Sequence, residues 1–248
     1  MPEVSIITPS YNTARFIKDC IQSVICQSFE NWELLIVDDC SKDSSVEIIT
    51  KFTQEDNRIL LIALNENVGA AAARNIAIQK AKGKYIAFLD SDDIWKKDKL
   101  EEQLDFMRTN DFAFTFTAYQ PISEDGENMY SVISAPKIMT YRSYLRNTII
   151  GCLTVMIDRE KTGDFQMPNI RSSHDMALWL LIMKRGFSAY GLNENLAYYR
   201  IVSTSNTSKK WKAAREVWSV YRRVEKLNLL YSTICFVGYV YNAIKKRM

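Results

Sequence analysis

Three aspartates within four residues are the strongest chemical feature of the sequence. Asp90, Asp92 and Asp93 follow the apolar run 85–89, with Ser91 between the first two. Carboxylates this close repel one another, so a cation beside them would stabilise the turn. Oxygen ligands two residues apart suit a hard divalent ion such as Mg²⁺ or Mn²⁺, with diphosphate oxygens completing its shell. The stretch predicts a metal site, although the same acids could form a solvated turn ahead of the next helix.

The elements around these acids alternate between strand and helix. Short apolar runs predict strands, and the segments between them repeat apolar residues at helical spacing; the runs are 4–8, 32–37, 59–64 and 85–89. Such alternation predicts an α/β fold with a mostly parallel, doubly wound central sheet flanked by helices. In sheets of this kind, ligands bind beyond the carboxyl ends of the strands.

Polar residues follow three of these predicted strands. Thr8, Pro9 and Tyr11 come at the end of the first strand, and Asp38 and Asp39 come at the end of the second. We therefore expect them to share one crevice with the acids at 90–93. The sequence contains neither G-x-G-x-x-G after the first strand nor G-x-x-x-x-G-K-S/T, which argues against a dinucleotide oxidoreductase and a P-loop NTPase.

Arg74 lies in the alanine-rich segment 69–81, which predicts a helix. It is either an ordinary charge on the helix surface or a group directed toward the same crevice.

The second half of the chain carries one further candidate. Asp175 precedes a long apolar helix, where it either caps the helix or is presented as a functional carboxylate, and the two roles can coexist. His174 is the single histidine, so a zinc site built from several histidines is excluded. We expect 151–157 to form an apolar strand and 120–140 to form a hairpin or a mobile loop over the cleft.

Composition limits the class of protein. The chain has 248 residues, of which 47% are hydrophobic, and a net charge of +3, which is too small to favour nucleic-acid binding. Its five cysteines include no C-x-x-C pair, and the first residues lack the basic and apolar regions of a signal peptide. These features predict a protein of the reducing cytosol.

The last forty residues form a distinct segment. No charged residue occurs in 227–244, which is flanked on both sides by basic residues. This length is at the threshold for spanning a bilayer, but several polar residues interrupt it. We favour a helix lying on a membrane surface over one buried on the core or one crossing the bilayer.

The motifs together resemble a known family. The sequence is similar to inverting family 2 glycosyltransferases of the GT-A fold, through the runs TPSYN at 8–12, WELLIVDDCSKDSS at 32–45, NENVGAAAARN at 65–75, YIAFLDSDDIW at 85–95 and HDMALWL at 174–180. More narrowly, 149–163, 167–180 and 191–200 resemble bacterial enzymes that build teichuronic acid and capsular polysaccharides. The resemblance implies a catalytic domain over 1–205, with a nucleotide-binding half at 1–110 and an acceptor half at 111–205, followed by a helical tail at 206–248.

The family resemblance also implies roles for single residues. Thr8, Pro9 and Tyr11 would line the nucleotide base. Asp39 and Arg74 would hold the base, and Asp38 would support them. Asp90 would reach the ribose and the metal, Asp92 would bind Mn²⁺ or Mg²⁺, and Asp175 would be the catalytic base. His174 stands where many relatives have glutamate. We expect His174 and Trp95 to face the acceptor or to support the site from behind, and a plain structural role is the alternative for His174.

The leading hypothesis is therefore an enzyme that moves one sugar from a nucleotide sugar, expected to be a UDP-sugar, to a glycan or a polyprenyl-linked acceptor. The resemblance places it in the cytoplasm, on the inner face of the bacterial plasma membrane. The Q-x-x-R-W motif of processive synthases is absent, which favours one sugar per encounter. The alternatives are a noncatalytic module that binds nucleotide sugars or glycans, and a nucleotidyltransferase that makes nucleotide sugars.

Overall fold

The structure is a computed structural model that describes residues 1–127, 130–170, 172–202 and 210–245. Within these residues, nine strands form one sheet, in the order β3-β2-β1-β4-β8-β6-β9-β5 with β7 paired to β9. The strands are β1 Val4–Ser10, β2 Trp32–Asp38, β3 Ile59–Ala63, β4 Tyr85–Phe88, β5 Ile94–Trp95, β6 Phe114–Ile122, β7 Ile138–Met139, β8 Met156–Asp158 and β9 Ala189–Arg200.

Helices connect the strands and cover both faces of the sheet. They are α1 Ile17–Ile25, α2 Ser45–Glu55, α3 Ala70–Lys80, α4 Lys99–Thr109, α5 Tyr141–Tyr144, α6 Arg159–Thr162, α7 His174–Lys184, α8 Lys210–Ser219 and α9 Leu229–Lys245. A 3-10 turn at Cys152–Thr154 and a π-helical turn at Val220–Val224 complete the described elements.

The first half of the sheet is parallel and buried on both faces. Strands β3, β2, β1 and β4 pair in parallel, and adjacent residues of β1 point to opposite sides. Ile7 belongs to a core cluster with α3 and α7, whereas Ile6 belongs to one with α1 and α4. Strands enclosed in this way can be apolar throughout, which is why the runs lack a polar alternation. The predicted α/β sheet is confirmed.

The second half departs from the prediction at 151–157. Only Met156–Asp158 forms a strand there, and it pairs antiparallel to both β4 and β6. In the residues before this strand, the backbone is hydrogen-bonded to side chains and not to a neighbouring strand. The Trp95 indole donates to the Leu153 carbonyl at 2.8 Å, and the Gln103 amide donates to the Thr154 carbonyl at 3.0 Å. These hydrogen bonds satisfy the backbone carbonyls of a turn, so the segment does not need to form an extended strand to pair them.

The segment after β6 folds back as a hairpin. Tyr119 pairs with Ile133 in an antiparallel bridge, and the Ser123 amide donates to the Glu127 carbonyl at 2.7 Å. Of the two predicted forms, the described residues of 120–140 adopt the hairpin.

The tail packs on the core through one side. Tyr221 and Cys235 are fully buried in the same cluster as α3 and α7. The Tyr221 hydroxyl donates to the Leu145 carbonyl, and the buried Glu225 carboxylate pairs with the Lys184 ammonium at 2.7 Å. Among the described residues, no helix combines the length and the apolar character needed to cross a membrane. The outer side of α9 is not covered by the described residues.

Candidate active site

The ends of β1 and β2 form one side of the candidate site. The register places Ser10 beside Asp38, and the Asp39 amide donates to the Ser10 carbonyl at 2.8 Å. The buried Asp38 carboxylate accepts from the Ser10 hydroxyl at 3.1 Å, the Ser41 hydroxyl at 2.6 Å and the Ser41 amide at 2.8 Å. Asp38 thus holds two loops together, which agrees with a supporting position.

Asp39 holds the turn that begins α3. Its two carboxylate oxygens accept from the Val68 amide at 2.7 Å and the Gly69 amide at 2.9 Å. Gly69 has a φ of +89°, a conformation that residues with a Cβ rarely adopt. The sequence had suggested a nucleotide-binding role for Asp39 but not this backbone role. The Asn-Val-Gly turn ahead of the alanine-rich helix was the available signal.

The three residues predicted to line a base differ in exposure. Thr8 is fully buried, and its hydroxyl has no hydrogen-bond partner among the described residues. Pro9 is half-buried, and Tyr11 is 49% exposed at the rim. The next residue, Asn12, ties this loop to the one after β2, because its side-chain oxygen accepts from the Lys42 amide at 2.7 Å. The exposed ring of Tyr11 is thus available to a flat ligand.

Arg74 lies at the centre of the site and is only 5% exposed. One guanidinium nitrogen donates to the Asp90 carboxylate, and another donates to His174 Nε2 at 2.7 Å. Burial would lower the pKa of Arg74, but the charge of Asp90 raises it above its usual value. The side chain is therefore a buried cation that joins α3 to the loop after β4 and to α7.

The acidic loop after β4 contains two different carboxylates besides Asp90. Burial, followed by the charge of Asp90, raises the pKa of Asp92 to about 6. Asp93 is buried, and burial followed by the charge of Asp92 raises its pKa well above the usual range. One Asp93 oxygen accepts from the Arg200 amide at 2.8 Å, and the Arg200 guanidinium donates to the Asp92 carbonyl at 2.9 Å. Arg200 is a structural support for the loop that no sequence pattern indicated.

These acids could supply only part of the ligand shell of a divalent cation. In the described part of the chain, no three His, Cys, Asp or Glu side chains surround a single point. Arg74 already neutralises Asp90, whereas no described side chain forms an ion pair with Asp92. Burial and then the charge of Asp90 raise the pKa of Asp92, so a cation beside it would stabilise the ionised carboxylate. Asp92 and Asp90 are the residues that could hold such an ion, and a bound phosphate group could supply further oxygen ligands.

Asp175 lies in the first turn of α7, beside the same arginine. It is half-buried, and the cap residue Ser173 forms no side-chain capping hydrogen bond. The carboxylate contributes to the raised pKa of Arg74. Burial and then Arg74 lower the pKa of His174, and Asp175 opposes that shift. The structure therefore brings Asp175 to the rim that carries Asp90 and Arg74.

Trp95 is enclosed by the core. Its side chain is 3% exposed, its indole N–H is bonded to the Leu153 carbonyl, and the Lys99 ammonium lies 3.8 Å from its ring centroid. Because its ring is enclosed by the core, Trp95 has little surface for an acceptor, and a supporting position behind the site is the form of the prediction that fits.

Most of the chain matches one protein family. Residues 5–162 match the family described as glycosyl transferase family 2. The chain belongs to this family. The protein is therefore a glycosyltransferase, which sets aside the noncatalytic module and the nucleotidyltransferase.

Two curated relatives cover most of the glycosyltransferase. It is 54% identical over 247 residues to the putative teichuronic acid biosynthesis glycosyltransferase TuaG of Bacillus subtilis, covering 100% of this chain and 98% of TuaG. It is 40% identical to the Escherichia coli UDP-Glc:alpha-D-GlcNAc-diphosphoundecaprenol beta-1,3-glucosyltransferase WfgD, covering 88% of this chain and 84% of WfgD. The match to TuaG confirms the narrower resemblance seen in the sequence.

A solved structure shares the fold of the glycosyltransferase. It is the mannosyltransferase PcManGT from Pyrobaculum calidifontis, in complex with GDP-Man and Mn²⁺. The TM-score is 0.73 at 16% identity, over 99% of this chain and 71% of PcManGT. The likeness confirms the predicted GT-A type of fold.

Proposed function

We propose that this glycosyltransferase moves one sugar from a UDP-sugar to a hydroxyl of a glycan linked to a polyprenyl diphosphate, with inversion at the anomeric carbon. The product would enter a cell-surface polysaccharide. The observation that carries the proposal is the Arg74 junction, which joins the loop bearing Asp90 to the helix bearing Asp175. The names of TuaG and WfgD support the class of product and of donor.

The donor nucleotide would lie across the ends of β1 and β2. The exposed ring of Tyr11 can stack on the uracil, with the half-buried Pro9 beside it, whereas the fully buried Thr8 would support the loop from the core side. Asp39 and Arg74 would hold the polar edge of the base, and Asp38 supports both loops through its hydrogen bonds. The buried charge of Arg74 makes its hydrogen bonds to the nucleotide stronger than they would be in water.

The diphosphate would lie over the acidic loop. Asp92 and Asp90 would hold Mn²⁺ or Mg²⁺ there, and Asp90 would also face the ribose. When bound, such an ion acts as a Lewis acid that stabilises charge on the departing diphosphate. The two carboxylates would hold this ion, and the burial of Asp92 beside the charge of Asp90 is the feature of this chain that favours a cation.

Asp175 would act as the general base. It accepts the proton of the acceptor hydroxyl while that oxygen forms a bond to the anomeric carbon on the face opposite the diphosphate. The bond from that carbon to the diphosphate oxygen breaks with its electron pair, and UDP leaves. The half-buried Asp175 carboxylate has no ion pair among the described residues, so it remains available to the acceptor.

The reaction can be tested by measuring UDP release from a panel of UDP-sugars with Mn²⁺, with and without a polyprenyl-diphosphate-linked GlcNAc. We expect release to depend on the acceptor, and an α-linked donor to give a β-linked product by NMR. Release that is indifferent to the acceptor, or a product of retained configuration, would contradict the proposal.

The tail would hold the enzyme on a membrane surface. The uncovered side of α9 carries an apolar stripe at helical spacing, each member between 47% and 75% exposed; these are Leu230, Ile234, Val237, Tyr241 and Ile244. Arg222, Arg223 and Lys226 are exposed just before this helix, and residues 226–248 contain no Asp or Glu. We assign the stripe to the anionic inner face of the bacterial plasma membrane, because a second copy would bring like charges together.

Vesicle binding provides the test of this surface. Val237→Asp should reduce co-sedimentation with phosphatidylglycerol vesicles by about tenfold, because a charge replaces buried apolar area. Leu60→Asp is the matched control on β3, where the leucine is 39% exposed, and it should bind as the wild type does. Equal binding to neutral phosphatidylcholine vesicles, or dimerisation that Val237→Asp abolishes, would contradict the assignment.

A further inference from the structure

His174 makes a specific contact that the proposed reaction does not yet use. Its Nε2 lies 2.7 Å from a guanidinium nitrogen of Arg74. A guanidinium can only donate, so Nε2 must accept, and the ring must be neutral with its proton on Nδ1. Burial and the adjacent arginine lower the pKa of His174, which favours the same neutral form.

The contact adds a second restraint on Arg74. Asp90 binds one guanidinium nitrogen from the loop after β4, and His174 binds another from the start of α7. Two acceptors on different elements determine both the position and the plane of this group. Since Arg74 is only 5% exposed, water could not readily replace a lost acceptor.

We propose that His174 is a positioning residue: as a neutral acceptor it orients Arg74 to receive the nucleotide base and links donor binding to the helix that carries Asp175. This inference rests on the proposed donor site. It requires an acceptor atom at position 174, and it does not require an imidazole.

The charges around His174 act in opposite directions. Arg74 faces it from α3, Asp90 faces it from the loop after β4, and Asp175 lies beside it on α7. The two carboxylates favour protonation, whereas burial and Arg74 oppose it more strongly. An imidazolium would turn a donor toward Arg74 and lose the hydrogen bond, so acidification should disturb this contact.

The experiment compares two substitutions by UDP affinity, measured calorimetrically with saturating Mn²⁺. His174→Leu removes the acceptor and should weaken UDP binding about tenfold, as expected for a hydrogen bond to a charged group. His174→Gln retains an acceptor oxygen and should stay within about threefold of the wild type. The donor KM should change in parallel, with a smaller effect on kcat.

The same substitution in a protein that lacks Arg74 separates the positioning of Arg74 from a general effect on stability. In an Arg74→Ala protein, His174→Leu should have no further effect on UDP affinity, because the acceptor then has no arginine to orient. Lowering the pH should weaken UDP binding more in the wild type than in His174→Gln. This difference isolates the imidazole from the carboxylates that both proteins share.

The possible failures are distinguishable. If Leu and Gln weaken UDP binding equally, or if His174→Leu is as damaging without Arg74 as with it, His174 is only a packing residue and this inference is overturned. A wild-type protein that binds no UDP would instead overturn the proposed donor site, and this inference with it.

Discussion

Asp175→Asn is expected to lower kcat by about a hundredfold or more while UDP affinity stays near that of the wild type. An asparagine of the same shape cannot accept the proton of the acceptor hydroxyl. The hydrogen bonds of the donor-binding residues should remain, because Asp175 makes no hydrogen bond or ion pair with another described side chain and acts on Arg74 only through its charge. The result should therefore appear in turnover and leave binding unchanged.

Initial rates and calorimetry on the same preparation would measure this split. Asp105→Asn is a matched control, since that carboxylate is 72% exposed on α4 and lies outside the site. It should turn over at the wild-type rate. Wild-type turnover by Asp175→Asn would remove Asp175 from its role, and loss of UDP binding would show that the substitution disturbs Arg74.

Asp92→Asn is expected to lower kcat/KM by about a hundredfold and to weaken the apparent affinity for Mn²⁺ about tenfold, because an amide oxygen is a poorer ligand for a hard cation than a carboxylate. Asp90 is already neutralised by Arg74, so Asp92 supplies most of the uncompensated charge. The measurement is UDP release as a function of Mn²⁺ concentration at fixed donor.

The neighbouring Asp93 provides the control. Asp93→Asn keeps the oxygen that accepts from the Arg200 amide, and burial together with the adjacent acids already raises the pKa of Asp93 well above its usual range. Its apparent Mn²⁺ affinity should stay within about threefold of the wild type. Equal metal dependence of Asp92→Asn and the wild type would exclude Asp92 as a ligand.

Local patterns were enough to predict the first half of the fold. The runs 4–8 and 85–89 are apolar because both faces of β1 and β4 are covered, so their strand ends could be read directly. The acids at 90–93 could therefore be predicted to lie in a loop beyond the carboxyl end of a strand. The prediction of a strand at 151–157 was wrong because the backbone carbonyls there accept hydrogen bonds from the side chains of Trp95 and Gln103. No local pattern reveals hydrogen-bond partners so distant in sequence.

The tail shows the same division. Apolar content without charges predicted a helix near 227–244, and α9 forms there. Composition could not separate the side that buries Cys235 from the side that exposes Val237. That division depends on where α5 and α7 lie, because the Asn242 amide donates to the Arg146 carbonyl at 3.1 Å and Glu225 pairs with Lys184.

What the amino-acid order alone specified is the alternation of strand and helix and the carboxylates at the strand ends, since hydrophobic periodicity is a property of neighbouring residues. What depended on the assembled sheet is which of those groups meet. Arg74 and His174 are 100 residues apart, and Asp93 and Arg200 are 107 apart. Contacts of that range depend on strand order and helix packing, so they could be seen only when the sheet had brought α3, α7 and β9 to one rim.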